Sequence, residues 1–222
     1  SGGGGMAFTK GGNIAFSDSA NHRIMIFRAS DGTFVRTFGK YGSELGSFHS
    51  PAGIAVSHEG LLVIVDSGNH RVQTFTEDGQ FVKCFGQEGS GEGEFRSPQG
   101  VSISKYNTVA IADTGNHRVQ LLRFVDGRVQ RIIGGYGQAN DQLIRPMYVA
   151  FWSDGMLAVA DHGNDRVQVF FMIDGSFERS IGLESFGVHV REGVGPTSVA
   201  VDKYENLAVT APRGLAGESC VL

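Results

Sequence analysis

Apolar residues along this chain come in short runs separated by clusters of Gly, Asp, Asn and Ser. Leu61 to Val65 is apolar throughout, the pattern of a strand covered on both faces. Arg71-Val72-Gln73-Thr74-Phe75 instead alternates, as a half-exposed strand does. With Gly53 to Val56 and Phe81 to Phe85, these runs predict four short strands in one stretch of sequence. Asp78-Gly79 separates the last two and predicts a tight hairpin, because Gly enters the left-handed backbone region at little cost. No helical stripe of adequate length interrupts the pattern.

The whole pattern recurs. Asp18-Ser19-Ala20-Asn21-His22-Arg23 returns as Asp66-Ser67-Gly68-Asn69-His70-Arg71, then as Asp113-Thr114-Gly115-Asn116-His117-Arg118, then as Asp161-His162-Gly163-Asn164-Asp165-Arg166, at steps of 48, 47 and 48 residues. Pro51, Pro98, Pro146 and Pro196 form a second series, each heading an apolar run, and Asp31-Gly32, Asp126-Gly127 and Asp174-Gly175 repeat the hairpin. A unit of about 47 residues holding four strands has the size of a propeller blade. Gly-rich connectors such as Phe85 to Pro98 would take the chain from the outer strand of one blade to the inner strand of the next.

These units resemble NHL repeats, whose naming Asn-His-Leu triplet is here Asn-His-Arg. The resemblance spans about Met6 to Val209 and is carried by the aspartate, the triplet, the Phe-Gly connector and the Pro-x-Gly start of the inner strand. It implies an all-β fold, a β-propeller of four-stranded blades, in a single domain over 1–222. Repeats fall at about 6–50, 51–97, 98–145 and 146–195, with a partial fifth at 196–222. The family closes with six blades, which implies either a fragment of such a ring or a smaller propeller closing irregularly. The triplet decays to Asn164-Asp165-Arg166 in the fourth repeat, and Thr210-Ala211-Pro212-Arg213 stands where the fifth should be.

Composition narrows the function. The 41% hydrophobic content, with 16 Phe, supplies a core and disfavours disorder. A net charge of −4 provides no general attraction for a polyanion. Cys84 and Cys220 are too few for a disulfide framework and lack zinc-site spacing, which fits a reducing, intracellular and cytoplasmic setting. No apolar run approaches the roughly 20 residues of a membrane helix.

Candidate chemistry divides into what repeats and what does not. Asp18, Asp66, Asp113 and Asp161, with Asn21, Asn69, Asn116 and Asn164 and with Arg23, Arg71, Arg118 and Arg166, are expected to brace the turns through charge-assisted hydrogen bonds. His22, His70 and His117 lie on separate blades and cannot converge on one ion, and His49, His58, His162 and His189 show no ligand spacing. No metal or other cofactor is therefore expected. Neither a nucleophile elbow nor a phosphate loop is present, and Cys84 shares its strand position with Thr37, Ile132 and Ser180, which reads as packing variation.

A ligand must break the symmetry, and the fourth repeat breaks it most. Arg145 stands where other repeats have Ser50, Ser97 and Gly195, and Tyr148 where they have Gly53, Gly100 and Ser198. The predicted ligand-binding face comprises Arg145, Tyr148, Tyr136, Arg71, Arg118 and His162. A non-enzymatic scaffold for a protein or peptide partner is expected, with no membrane association. The resemblance implies single-stranded RNA as the alternative, since RING-NHL relatives bind RNA on this face and often carry an arginine before the connector proline. Arg145 matches that pattern; Ser50, Ser97 and Gly195 do not. A propeller hydrolase or lyase is a third reading, and ubiquitin-ligase activity would belong to a longer parent chain.

Overall fold

Residues 4–152, 155–183 and 195–211 are described in a computed structural model of the chain; His189, Cys220 and the Pro212-Arg213 pair lie outside them. They form four antiparallel sheets of four strands and a fifth of two, each ordered as in the chain. The first sheet holds β1 (Met6–Phe8), β2 (Asn13–Asp18), β3 (Arg23–Arg28) and β4 (Phe34–Phe38). The second holds β5 (Pro51–Val56), β6 (Leu62–Asp66), β7 (Arg71–Phe75) and β8 (Phe81–Phe85). The third holds β9 (Val101–Ile103), β10 (Thr108–Asp113), β11 (Arg118–Arg123) and β12 (Val129–Gly134). In the fourth are β13 (Pro146–Trp152), β14 (Met156–Asp161), β15 (Arg166–Phe171) and β16 (Phe177–Gly182), and in the fifth β17 (Ser198–Val201) and β18 (Leu207–Thr210). The sheets are blades of a β-propeller, and contacts between successive first strands (β1, β5, β9, β13 and β17) set those strands around the axis. The inner strand of the second blade starts at Pro51, earlier than its apolar run, because Pro51 pairs with Asp66 ahead of an irregularity in register before Ile54.

The apolar run in β6 has a simple cause. Leu62 and Ile64 point to the first blade and join Ile24, Ile26, Phe48 and Phe75. Val63 and Val65 point the opposite way and join Val109, Ile111 and Leu122 of the third blade. A strand sandwiched between two blades therefore has no polar face. Outer strands have less cover: Phe34 in β4 and Val82 in β8 are exposed.

Connectors are plugged into the core by one side chain each. Phe48, Phe95 and Leu143 are fully buried, and Phe95 lies under Gly86, whose φ is 90°. A Cβ on Gly86 would sit 2.4 Å from the Phe95 ring, so that glycine is required for both space and backbone conformation. Close to the axis, Gly5 N–H donates to the Ala52 carbonyl (3.0 Å) and Gly53 N–H to the Gln99 carbonyl (2.8 Å). A Cβ on Gly53 would stand 2.6 Å from that Gln99 oxygen, and Tyr148 is where this glycine series stops.

A further repeat lies at the rim. Arg36 pairs with the Asp78 carboxylate at 2.6 Å, Lys83 donates to the Phe124 carbonyl and sits over its ring at 3.7 Å, and Arg131 donates to the Ile173 and Asp174 carbonyls at 2.8 Å each. Each outer-strand cation thus reaches the hairpin of the following blade. Sequence reading missed this set, although the three cations occupy equivalent places in successive repeats.

Candidate functional site

The turn from second to third strand and the blade-to-blade connector emerge at the same end of each blade, so all the triplets and connectors share one face. What holds that face is the buried aspartate. Asp66 is fully buried and accepts from Arg71 Nε at 2.7 Å, Asn69 Nδ2 at 2.9 Å, Gln73 Nε2 at 3.0 Å and the His49 N–H at 2.7 Å. Asp113 and Asp161 repeat the arrangement with Arg118 and Arg166 at 2.8 and 2.9 Å. Asn116 and Asn164 complete it together with Gln120 and Gln168. The glutamines went unnoticed in the sequence, where Arg-Val-Gln recurring in three repeats was the available signal.

The guanidinium of Arg71 goes on to the carbonyls of Ser43, Glu44 and Ser47 at 2.7, 2.9 and 3.0 Å, and Arg118 to those of Gly91 and Glu94 at 2.6 and 3.0 Å. Their side chains are only 12% exposed. Arg71 and Arg118, placed above among the ligand-binding residues, are thus engaged in clamping connectors, because the carbonyls of each connector loop converge on the guanidinium.

The triplet histidines take left-handed backbone conformations, with φ of 56°, 55° and 56° at His22, His70 and His117. Their Nδ1 atoms accept the backbone N–H of Ser50 (2.9 Å), Ser97 (2.9 Å) and Arg145 (3.0 Å), which fixes the proton on Nε2 in the neutral ring. Over these rings sit Tyr41 at 4.9 Å from His22 and Tyr136 at 5.0 Å from His117, while the Glu88 carboxylate lies 4.0 Å from His70 Nε2. Tyr41 and Tyr136 remain 66% and 72% exposed, and Leu45 60%. The connectors carry Lys40, Arg96 and Arg145 against Glu44, Glu88, Glu92, Glu94 and Asp141, a net negative balance.

Of the predicted residues, Arg145, Tyr148 and His162 line the same axial cavity, about 1110 Å³ in volume and bordered by inner strands of all five described blades. Tyr136 stands apart on the connector face. His162 holds the position of Ser19, Ser67 and Thr114. Those hydroxyls engage the following blade: Ser19 and Thr114 donate to the Pro51 and Pro146 carbonyls, and Ser67 accepts from Gln99 Nε2. His162 Nδ1 is buried with no hydrogen-bond partner among the described residues. Cys84 is half-buried, and burial pushes its thiol up, away from the reactive thiolate. Among the described residues no group of three or more His, Cys, Asp or Glu is placed to hold a metal ion. No helix among them is long and apolar enough to cross a membrane.

Burial pushes the Tyr148 phenol up to about 12 from an ordinary 10.0. Folding therefore favours the neutral phenol: its contribution to stability is complete below pH 10 and disappears as pH rises through about 12. Phenolate absorbance of the folded protein should show one late step near pH 12 that Tyr148→Phe removes. Absence of that step would place the hydroxyl in water.

Known proteins agree with this geometry. The NHL repeat model matches at residues 48–75 and 95–120, which fall in the second and third of the repeating units. RING finger protein nhl-1 of Caenorhabditis elegans is 44% identical over 59 residues, 27% of this chain and 6% of that protein. B-box type zinc finger protein ncl-1 of the same organism is 45% identical over 38 residues, 17% of this chain and 4% of that protein. The matches thus span small parts of these relatives. Among solved structures, a catalytically inactive virginiamycin B lyase from Staphylococcus aureus, with quinupristin, aligns with a TM-score of 0.67 at 15% identity, covering 93% of this chain and 62% of that one. A chain of a nidogen/laminin complex aligns with a TM-score of 0.66 at 21% identity, covering 93% and 71%. At such identities the likeness shows the propeller fold alone.

Proposed function

We propose that this NHL-repeat propeller is a non-enzymatic binding scaffold whose connector face grips a protein segment. The observation that carries this reading is the state of the repeat arginines: Arg71, Arg118 and Arg166 are held by buried aspartates and connector carbonyls, which leaves a face richer in carboxylates than in cations. Single-stranded RNA needs a continuous run of phosphate-binding cations. Exposed Tyr41, Leu45 and Tyr136 are instead side chains of the kind that anchor protein interfaces, tyrosine above all.

The test is a peptide-display selection on the intact chain, followed by affinity measurement on purified binders. Tyr41→Ala and Tyr136→Ala should each weaken the selected peptides by about 2 kcal/mol, the cost of losing an interface anchor, while the melting temperature stays unchanged. Binders indifferent to both substitutions would move the site off the connector face and sink the proposal.

A further inference from the structure

The axial channel has chemistry that the connector face does not use. Among the described residues on its wall there is no Asp or Glu, and the single formal charge is Arg145. The Arg145 backbone N–H donates to His117 Nδ1, and among the described residues its guanidinium has no hydrogen-bond or ion-pair partner. This contrasts with the four repeat arginines, each paired with its own aspartate.

The fold itself does not call for an arginine here. Ser50 and Ser97 occupy the same place in their repeats, take the same left-handed conformation (φ 51° and 44°, against 51° at Arg145), and make the same backbone hydrogen bond to the preceding histidine. The turn is complete without the longer side chain, so the guanidinium is an addition to the repeat. Two further departures share its cavity: Tyr148, where the second and third blades have Gly53 and Gly100, and His162, where they have the hydroxyls of Ser67 and Thr114. Among the described residues His162 Nδ1 has no hydrogen-bond partner. The wall is mixed: Ile54, Val101, Met147, Val149 and Val199 give it apolar stretches beside the uncharged polar Gln99, Ser102, Thr197 and Ser198. Arg145 is exposed at the edge of this cavity, and with no counter-charge among the described residues its guanidinium is free to pair with an anion.

We propose that the axial channel is a binding site for an amphiphilic carboxylate, its anionic head held by Arg145 with the Tyr148 hydroxyl donating a second hydrogen bond, and its apolar body lying along the inner strands. The site is independent of the connector-face reading. Two sources offer this chemistry: a free organic acid, or the apolar C-terminal end of a polypeptide.

Octanoate, octanol, acetyl-trileucine and acetyl-trileucine amide are the probes, titrated into the whole chain by calorimetry and by amide chemical shifts. A charge-assisted hydrogen bond corresponds to a factor of roughly ten or more, so octanoate should bind at least about tenfold tighter than octanol. Arg145→Gln should erase that difference at unchanged melting temperature, Arg145→Glu should transfer the preference to octylamine, and Tyr148→Phe should weaken octanoate severalfold. Acetyl-trileucine binding tighter than octanoate, and losing affinity as the amide, assigns the site to a chain terminus; the reverse order assigns it to a free acid, and both support the site. Equal binding of octanoate and octanol would overturn it, as would undiminished octanoate binding by Arg145→Gln or no saturable binding of either acid at millimolar concentration.

Discussion

Asp66→Ala is expected to lower the unfolding free energy by about 3–5 kcal/mol, the cost of removing one partner from a buried ion pair. Arg71 is 12% exposed and Gln73 fully buried, so water cannot replace the acceptor that both lose. The His49 N–H loses its acceptor as well, which loosens the connector that Arg71 clamps. Asp18→Ala is the internal control. Its side chain is 15% exposed and that of Arg23 39%, and Asn21 and Arg23 are the hydrogen-bond partners recorded for the carboxylate, so solvent screening should hold the loss under about 1 kcal/mol. Denaturant unfolding of both variants checks the pair; equal losses would contradict the idea that burial decides the value of the repeat aspartate.

Phe95→Ala should cost about 3–5 kcal/mol, through lost transfer free energy and the cavity left behind. Phe95 is fully buried in the cluster between the second and third blades, where it packs with Val65, Val72, Val109 and Leu122. It is also the peg of its connector, since its N–H donates to the Gln87 carbonyl at 2.8 Å and its ring fills the space beside Gly86. Ile173→Ala removes an equally apolar group from a hairpin and should stay within about 0.5 kcal/mol, because that residue is 84% exposed. Urea titration of the two variants separates the cases. A small loss at Phe95 would mean that the connector stays seated without its plug.

The strands β7 and β8 are legible to the residue in the sequence, since Arg71-Val-Gln-Thr-Phe75 and Phe81 to Phe85 are bounded by turn signals on both sides. The period is equally plain, because Asp-x-x-Asn-His-Arg has no reason to recur in a chain of one irregular layer. Interactions between blades were not legible. Hydrogen bonds from the repeat arginines to loop carbonyls were expected, but that Arg71 reaches Ser47 across 24 residues, and Lys83 reaches Phe124 across 41, depends on how one repeat is rotated against the next, which alternation within a strand does not encode. The connector position of Tyr136 and the channel-facing position of Tyr148 follow from the sequence, whereas the edge-on contact of Tyr136 with His117 does not. Arg145 stood out because it departs from Ser50 and Ser97, a comparison that the repeat itself supplies.

That the connector face serves a protein segment is tested most directly by fluorescence anisotropy of unstructured RNA on the intact chain at two salt concentrations. With the repeat arginines engaged internally, the predicted result is affinity weaker than micromolar at physiological salt, unchanged by Arg145→Ala. Submicromolar RNA binding at physiological salt that falls steeply as salt is raised and disappears on Arg145→Ala would contradict it.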